Sequence, residues 1–226
     1  TAAPDVVPST VGVDVGGTTT RVVAFAPDRS VLAESVFATP YGGLAVIEAV
    51  VDGVAAVTAE LGPPAHVGIG VPGRVTADGT VDLGLNVGIA DPFPLGPLLA
   101  ARLGVPVDVE NDVNAAALAV LAAVGGTSLT YVSIGTGFAV GTVVDATIVR
   151  GATGMAGELG HVPVPGETAP CVCGQAGCIE AIVSGRALAD AALAIGLGPR
   201  PTAADVWNAA ERGSAEAAAL RDRTVG

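Results

Sequence analysis

One short pattern occurs twice in this chain of 226 residues. TVGVDVGGTTTRVVAF, from Thr10 to Phe25, is an apolar run, a turn of glycine and threonine, and a second apolar run. LTYVSIGTGFAVGTVV, from Leu129 to Val144, restarts it. Alternating β-branched residues that stop at glycine specify a strand, a tight turn and an antiparallel return. The pair reads as a duplicated supersecondary unit, not a solenoid. Two unrelated hairpins are the alternative.

The rest of the chain fits around these hairpins. SVLAESVFAT reads as a third strand that completes an antiparallel meander. Gly43 to Leu61 carries apolar positions at helical spacing and ends at LGPP. AHVGIGVPG is a strand ending in a Pro-Gly turn, and PLGPLLAARLG is a short helix closed by glycine. VPVDVEND is a strand feeding an Ala-rich helix that starts near Val113. AVGTVVDATIVRG adds strands around a turn near Asp145, and helices are expected around 185–195, 203–211 and 214–222. Residues 1–10 read as a loose lead-in. The order predicts an α/β fold around a mixed sheet. The domain boundary is expected near residues 113–116, giving α/β lobes over 1–113 and 114–226.

Half of the residues are hydrophobic but only 3% are aromatic, so the core must be built from Val, Ala, Leu and Ile. The mean hydropathy of +0.63 raises the question of membrane insertion. No apolar run is long enough: Ala115–Val124 is short, and Val46–Leu61 carries Glu48, Asp52 and Glu60. A net charge of −12 repels phosphate backbones, so these residues are not expected to bind nucleic acid. Three cysteines cannot pair evenly, which points to a cytoplasmic protein. The chain begins at Thr1 without Met, which leaves room for an upstream segment.

Three polar stretches carry chemistry. In DVGGTTTR, Asp14 to Arg21, glycines let a ligand approach the backbone, and successive N–H groups and hydroxyls form an anion nest. Asp14 could hold Mg²⁺ through water. This is not a Walker A loop, and the alternative is a plain hairpin turn. SIGTGFAVG, Ser133 to Gly141, is a second such loop; two of them could clamp a triphosphate. In VENDVNAAALA, Glu110, Asn111 and Asp112 lie where a strand becomes a helix. Capping is one reading. The other makes Asp112 a general base at a strand's C-terminal end.

All three cysteines and one of the two histidines fall within HVPVPGETAPCVCGQAGC, His161 to Cys178. Their spacing, H-x9-C-x-C-x4-C, supplies a Cys₃His tetrahedral zinc set, with Gly174 and Gly177 letting the loop fold around the ion. The alternative is three buried thiols packed as small hydrophobes. With four protein ligands the zinc would be structural. Glu158 and Glu180 flank this turn, where rigid carboxylates suit the vicinal hydroxyls of a sugar. Gly73 in GVPG and Asn86 in GLN offer further polar contacts.

VDVGGTTTR, GIGVPGRV, VENDVNAAAL, SIGTGFAVG, GMAGELGHVPV and CVCGQAGCIE, in that order, resemble the motifs of the ROK family of repressors and sugar kinases, and glucokinase-type members most. The resemblance runs from about Val11 to Glu180. It implies an actin-like, ribonuclease-H-like ATPase fold with two lobes around a cleft. It implies ATP and Mg²⁺ as cofactors, with Asp112 deprotonating a sugar hydroxyl that attacks the γ-phosphate. Gly73, Asn86, Asn111, Asp112, Glu158, His161 and Glu180 match the hexose site. Asp14, Gly16, Gly17 and Thr18 match the first phosphate loop, and Gly135, Thr136 and Gly137 the second. Thr19 stands where kinases of the family often carry Lys or Asn, and Ala139 where glycine is common. His161 would give one ring nitrogen to zinc and the other to the sugar. Family members generally continue past the position of Gly226 with a strand, an adenine-side motif and a returning helix. A homodimer is expected from family habit.

The reading that follows is an ATP-dependent hexose kinase. A second reading is the sugar-sensing domain of a ROK repressor whose DNA-binding segment lies upstream of Thr1. A third is a non-catalytic sugar-binding relative.

Overall fold

The computed structural model describes residues 9–225, so most of the lead-in expected over 1–10 lies outside the described residues. The chain divides into two compact units, the first ending at Ala119 and the second starting at Val120.

The first unit opens with β1 (Thr10–Val15), β2 (Thr19–Phe25) and β3 (Val31–Ala38), paired antiparallel in sequence. α1 (Gly43–Thr58) and β4 (His66–Val71) follow. β5 (Arg74–Val75) and β6 (Val81–Asp82) make a small hairpin, and a 3₁₀ turn spans Leu85–Val87. Then come α2 (Leu95–Leu103), β7 (Val107–Asn111) and α3 (Asp112–Val124), within which the two units divide. The strands form one mixed sheet in the order β3-β2-β1-β4-β7, with β4 parallel to both β1 and β7.

Period-two patterning puts one face of this sheet in the core. Val11, Val13 and Val15 of β1 are buried, as are Val67, Ile69 and Val71 of β4. Val46, Ile47, Val50, Val54 and Val57 of α1 pack onto them at helical spacing. Each buried aliphatic contributes about 1.5–3 kcal/mol, which is how a core whose buried members are all aliphatic holds, with Phe37 and Phe93 packed at its margin.

The second unit contains β8 (Leu129–Ile134), β9 (Phe138–Val144) and β10 (Thr147–Ile148) in an antiparallel sheet. A 3₁₀ turn at Leu159–His161 precedes the cysteine segment. α4 (Glu180–Val183), α5 (Gly185–Ala194), α6 (Ala203–Glu211) and α7 (Ala215–Val225) complete it. Ala192, Val206, Ala209 and Ala217 form a small core among the last three helices. No helix among the described residues is long and apolar enough to cross a membrane.

Candidate active site

In the first unit, Asp14 is the penultimate residue of β1 and Asp112 opens α3. Gly70 of β4 links them: it pairs with Asp14 in the parallel ladder, and a Cβ on it would lie 3.4 Å from Asp112 Cα. Burial pushes the Asp112 carboxyl above the usual aspartate value, and the Asp14 carboxylate adds to the shift. The Val113 N–H, 2.9 Å from Asp112 Oδ1, opposes it. A carboxylate raised in this way is a stronger base.

The END triplet divides its tasks. Asn111 Oδ1 accepts from the N–H groups of Val113 at 3.0 Å and Asn114 at 3.1 Å, so Asn111 carries the helix cap. Its Nδ2 donates to the Gly73 carbonyl at 3.1 Å. Glu110 Oε1 accepts from the Asn111 N–H at 2.9 Å and from Asn114 Nδ2 at 3.1 Å. Gly73 has φ +113°, and a Cβ there would lie 2.6 Å from the Asp82 carbonyl oxygen, so only glycine fits. Asp82 is buried; Arg74 Nε donates to its Oδ1 at 2.8 Å and holds its carboxyl below the usual range. The β5–β6 hairpin thus positions Gly73, and Gly73 positions Asn111.

The first glycine loop closes with a bond from the Gly16 N–H to the Thr19 carbonyl at 3.0 Å. Gly17, Thr18 and Thr19 are exposed, and the Thr18 carbonyl accepts from the Thr39 N–H at 2.9 Å. Asn86, exposed on its 3₁₀ turn, stands beside this loop: a Cβ on Gly17 would lie 3.2 Å from Asn86 Cβ. A cavity of about 400 Å³ opens on the sheet face among Gly12, Arg21, Phe25, Gly68 and Leu118. Of the residues expected in the site, only Asp14 borders it, so it is not the expected sugar pocket.

In the second unit the expected residues also gather. Gly157, at φ +100°, and Gly160 press the GELGH turn onto β9. A Cβ on Gly157 would lie 2.0 Å from the Val140 carbonyl oxygen, and one on Gly160 would lie 2.3 Å from that of Phe138. The same Gly160 position lies 3.3 Å from Glu180 Cβ, so the turn, α4 and the second loop meet at one backbone point. His161 Nε2 is 3.9 Å from Glu158 Oε2. In the loop, the Gly135 N–H donates to the Gly137 carbonyl at 3.0 Å, and Gly135 and Thr136 are exposed. Phe138, whose N–H meets Glu180, escaped the sequence reading because a backbone donor leaves no residue signature. Arg186, 3.6 Å from Glu180 Oε1, was missed as an isolated charge.

His161, Cys171, Cys173 and Cys178 place one ligand atom each within 4.8 Å of all the others, and the thiols are free. Cys173 Sγ lies 3.6 Å from Cys178 Sγ, and Cys171 Sγ lies 3.5 Å from His161 Nδ1. Zinc–sulfur bonds of about 2.3 Å in a tetrahedron give edges of about 3.8 Å, so this donor set has the size and chemistry of a Cys₃His cage. The backbone N–H of Gln175 is the main cause holding the Cys173 thiol down, to about 6, while burial pushes Cys178 up to about 12.

The first unit's mixed sheet, its glycine hairpin and the matching hairpin of the second unit define an α/β protein of the actin-like ATPase fold. The ROK family model matches residues 10–225, and the chain belongs to that family. It is 39% identical over 128 residues to a glucokinase of Halalkalibacterium halodurans, covering 54% of this chain and 38% of the relative. It is 42% identical over 126 residues to a putative xylose repressor of Caldicellulosiruptor, covering 54% of this chain and 31% of the relative. The chain thus spans only about a third of the length of these relatives. A solved ROK family glucokinase from Streptomyces griseus, in complex with glucose and AMPPNP, aligns with TM-score 0.77 at 30% identity. That alignment covers 96% of this chain and 75% of the other.

Proposed function

We propose that the chain belongs to an ATP-dependent hexose kinase with Asp112 as its general base. The observation that carries this reading is the setting of Asp112. It is a carboxylate of raised pKa at the end of a parallel strand, next to a glycine loop and relieved of capping duty by Asn111. A sugar hydroxyl gives its proton to the Asp112 carboxylate as its oxygen bonds to the γ-phosphorus of ATP, and the bond to the ADP oxygen breaks. Gly73, Asn86, Asn111, Glu158, His161 and Glu180 are the hexose contacts in this reading. Asp14, Gly16, Gly17, Thr18 and Thr19 form one phosphate loop, and Gly135, Thr136 and Gly137 the other. Asp14 would hold Mg²⁺ through water, which would supply charge neutralisation on the phosphates. His161, Cys171, Cys173 and Cys178 would hold a structural Zn²⁺, which would stiffen the turn that bears Glu158 and Glu180. The glucokinase relatives, one of them solved with glucose and AMPPNP, support substrate and donor.

In this reading the working form is a cytoplasmic homodimer of two-lobed subunits divided near residues 113–116. Light scattering that finds a monomer at micromolar concentration removes the dimer. The function is tested by coupled ADP release against a panel of hexoses and N-acetylhexosamines, with Asp112→Asn as control. The repressor relative favours one other reading, a sugar-sensing effector domain. Sugar binding with no ADP release in the full-length protein supports that reading and ends the kinase proposal.

A further inference from the structure

The segment Glu180–Gly185 holds the second glycine loop at both of its ends. At one end the Gly185 N–H donates to the Gly135 carbonyl at 2.8 Å. At the other the Phe138 N–H donates to Glu180 Oε2 at 2.9 Å, a bond between residues 42 positions apart. The Glu180 side chain is only 13% exposed, and its Oε1 lies 3.6 Å from Arg186 Nη2. The loop is shaped around the carboxylate: a Cβ on Gly137 would lie 2.6 Å from Oε2, so any side chain there would displace it.

We infer that Glu180 is a positioning residue for the second glycine loop, acting through the Phe138 amide to set the loop that faces the phosphoryl donor. This goes beyond a sugar contact. It rests on the proposed kinase reading only for the donor's identity; the tie between Glu180 and the loop does not. A loop of glycine and threonine has little rigidity of its own, and a hydrogen bond to a charged acceptor is among the stronger local constraints. The tie also links the loop to the cysteine turn, because Glu180 lies two residues beyond Cys178.

The test is hydrogen exchange at the Phe138 amide in the chain without sugar or nucleotide. Glu180→Ala removes the acceptor, and exchange should quicken roughly tenfold or more. Glu180→Gln keeps a neutral acceptor, so protection should stay within about fivefold of the unsubstituted chain. If Glu180→Ala does not fold, Glu180→Asp, one carbon too short to reach, serves in its place. An acid that served only a sugar would leave this amide unchanged in the sugar-free chain. Equal protection in all variants therefore overturns the inference. AMPPNP affinity, measured without sugar, should fall about tenfold in Glu180→Ala and recover in Glu180→Gln. Loosening of the amide with unchanged AMPPNP affinity leaves Glu180 as the loop's support and removes the loop from the donor site, so the two readings fail separately.

Discussion

The two glycine hairpins share a pattern and differ in what keeps them rigid. Aligned on their loops, Val13, Asp14, Val15 and Gly16 correspond to Val132, Ser133, Ile134 and Gly135. β1 is paired on both sides, and Val15 is fully buried. β8 has a neighbour on one side only among the described residues, and Ile134 is 62% exposed. The first loop is therefore held from below by a hydrophobic sheet. The second is held from the side by Glu180 and Gly185. One loop motif works with either support, but the two should break under different insults.

The largest break is chemical and belongs to the first hairpin's side. Asp112→Asn keeps the size of the side chain and leaves the cap on Asn111 untouched. Turnover should fall by a factor on the order of 10² to 10⁴. Sugar affinity measured without ATP should change less than about tenfold. An Asp112→Asn chain with undiminished ADP release would sink the base assignment.

Next in size is loss of the cysteine cage, which should loosen only the second hairpin. Metal analysis should give about one zinc per chain, and Cys173→Ser should lose it. The expected cost is on the order of 3 kcal/mol of stability. Hydrogen exchange should quicken at residues 135–139 while residues 14–19 stay protected. Uniform loosening of both loops would erase the contrast between the two hairpins, and an unaltered, metal-free chain of full stability would remove the zinc.

The hydrophobic side of the comparison is tested by an equivalent pair. Val15→Ala removes fewer atoms than Ile134→Ala, yet it should cost more, about 2 kcal/mol against less than about 0.5 kcal/mol. Urea midpoints decide it. A larger loss at Ile134 would mean that β8 is covered by something the described residues do not include.

Much of this was legible beforehand, and for stated reasons. The meander β1–β3, the helix α1 and the passage from β7 into α3 follow from periodicity, which reports one buried face. The gathering of His161, Cys171, Cys173 and Cys178 was legible from spacing because these residues lie close in sequence. The β5–β6 hairpin was not, since two-residue strands have no period. Its effect on the site passes through the Gly73 carbonyl, and backbone groups leave no mark in the residue string. The tie from Glu180 to Phe138 was hidden twice over, by a backbone donor and by a separation of 42 positions. VENDVN announced polar residues at a strand end, but only the geometry separates Asn111, which caps, from Asp112, which does not need to.

That separation yields the smallest effect, and it has a definite sign. Burial and the Asp14 carboxylate raise the Asp112 pKa in the folded chain above its unfolded value. The group then favours the fold fully below the unfolded value, and this contribution is lost as pH rises through the folded value. Asn does not ionise, so the stability difference between Asp112→Asn and the unsubstituted chain should move in the variant's favour as pH rises through that window. Urea midpoints at about pH 3.5 and about pH 7.5 bracket the ordinary aspartate value and measure the drift. A drift in the other direction would mean that the Asp112 carboxylate is stabilised by partners rather than strained by burial. It would then be a weaker base than the proposed chemistry needs, and the acid limb of the turnover profile should fall at or below the ordinary aspartate range instead of above it.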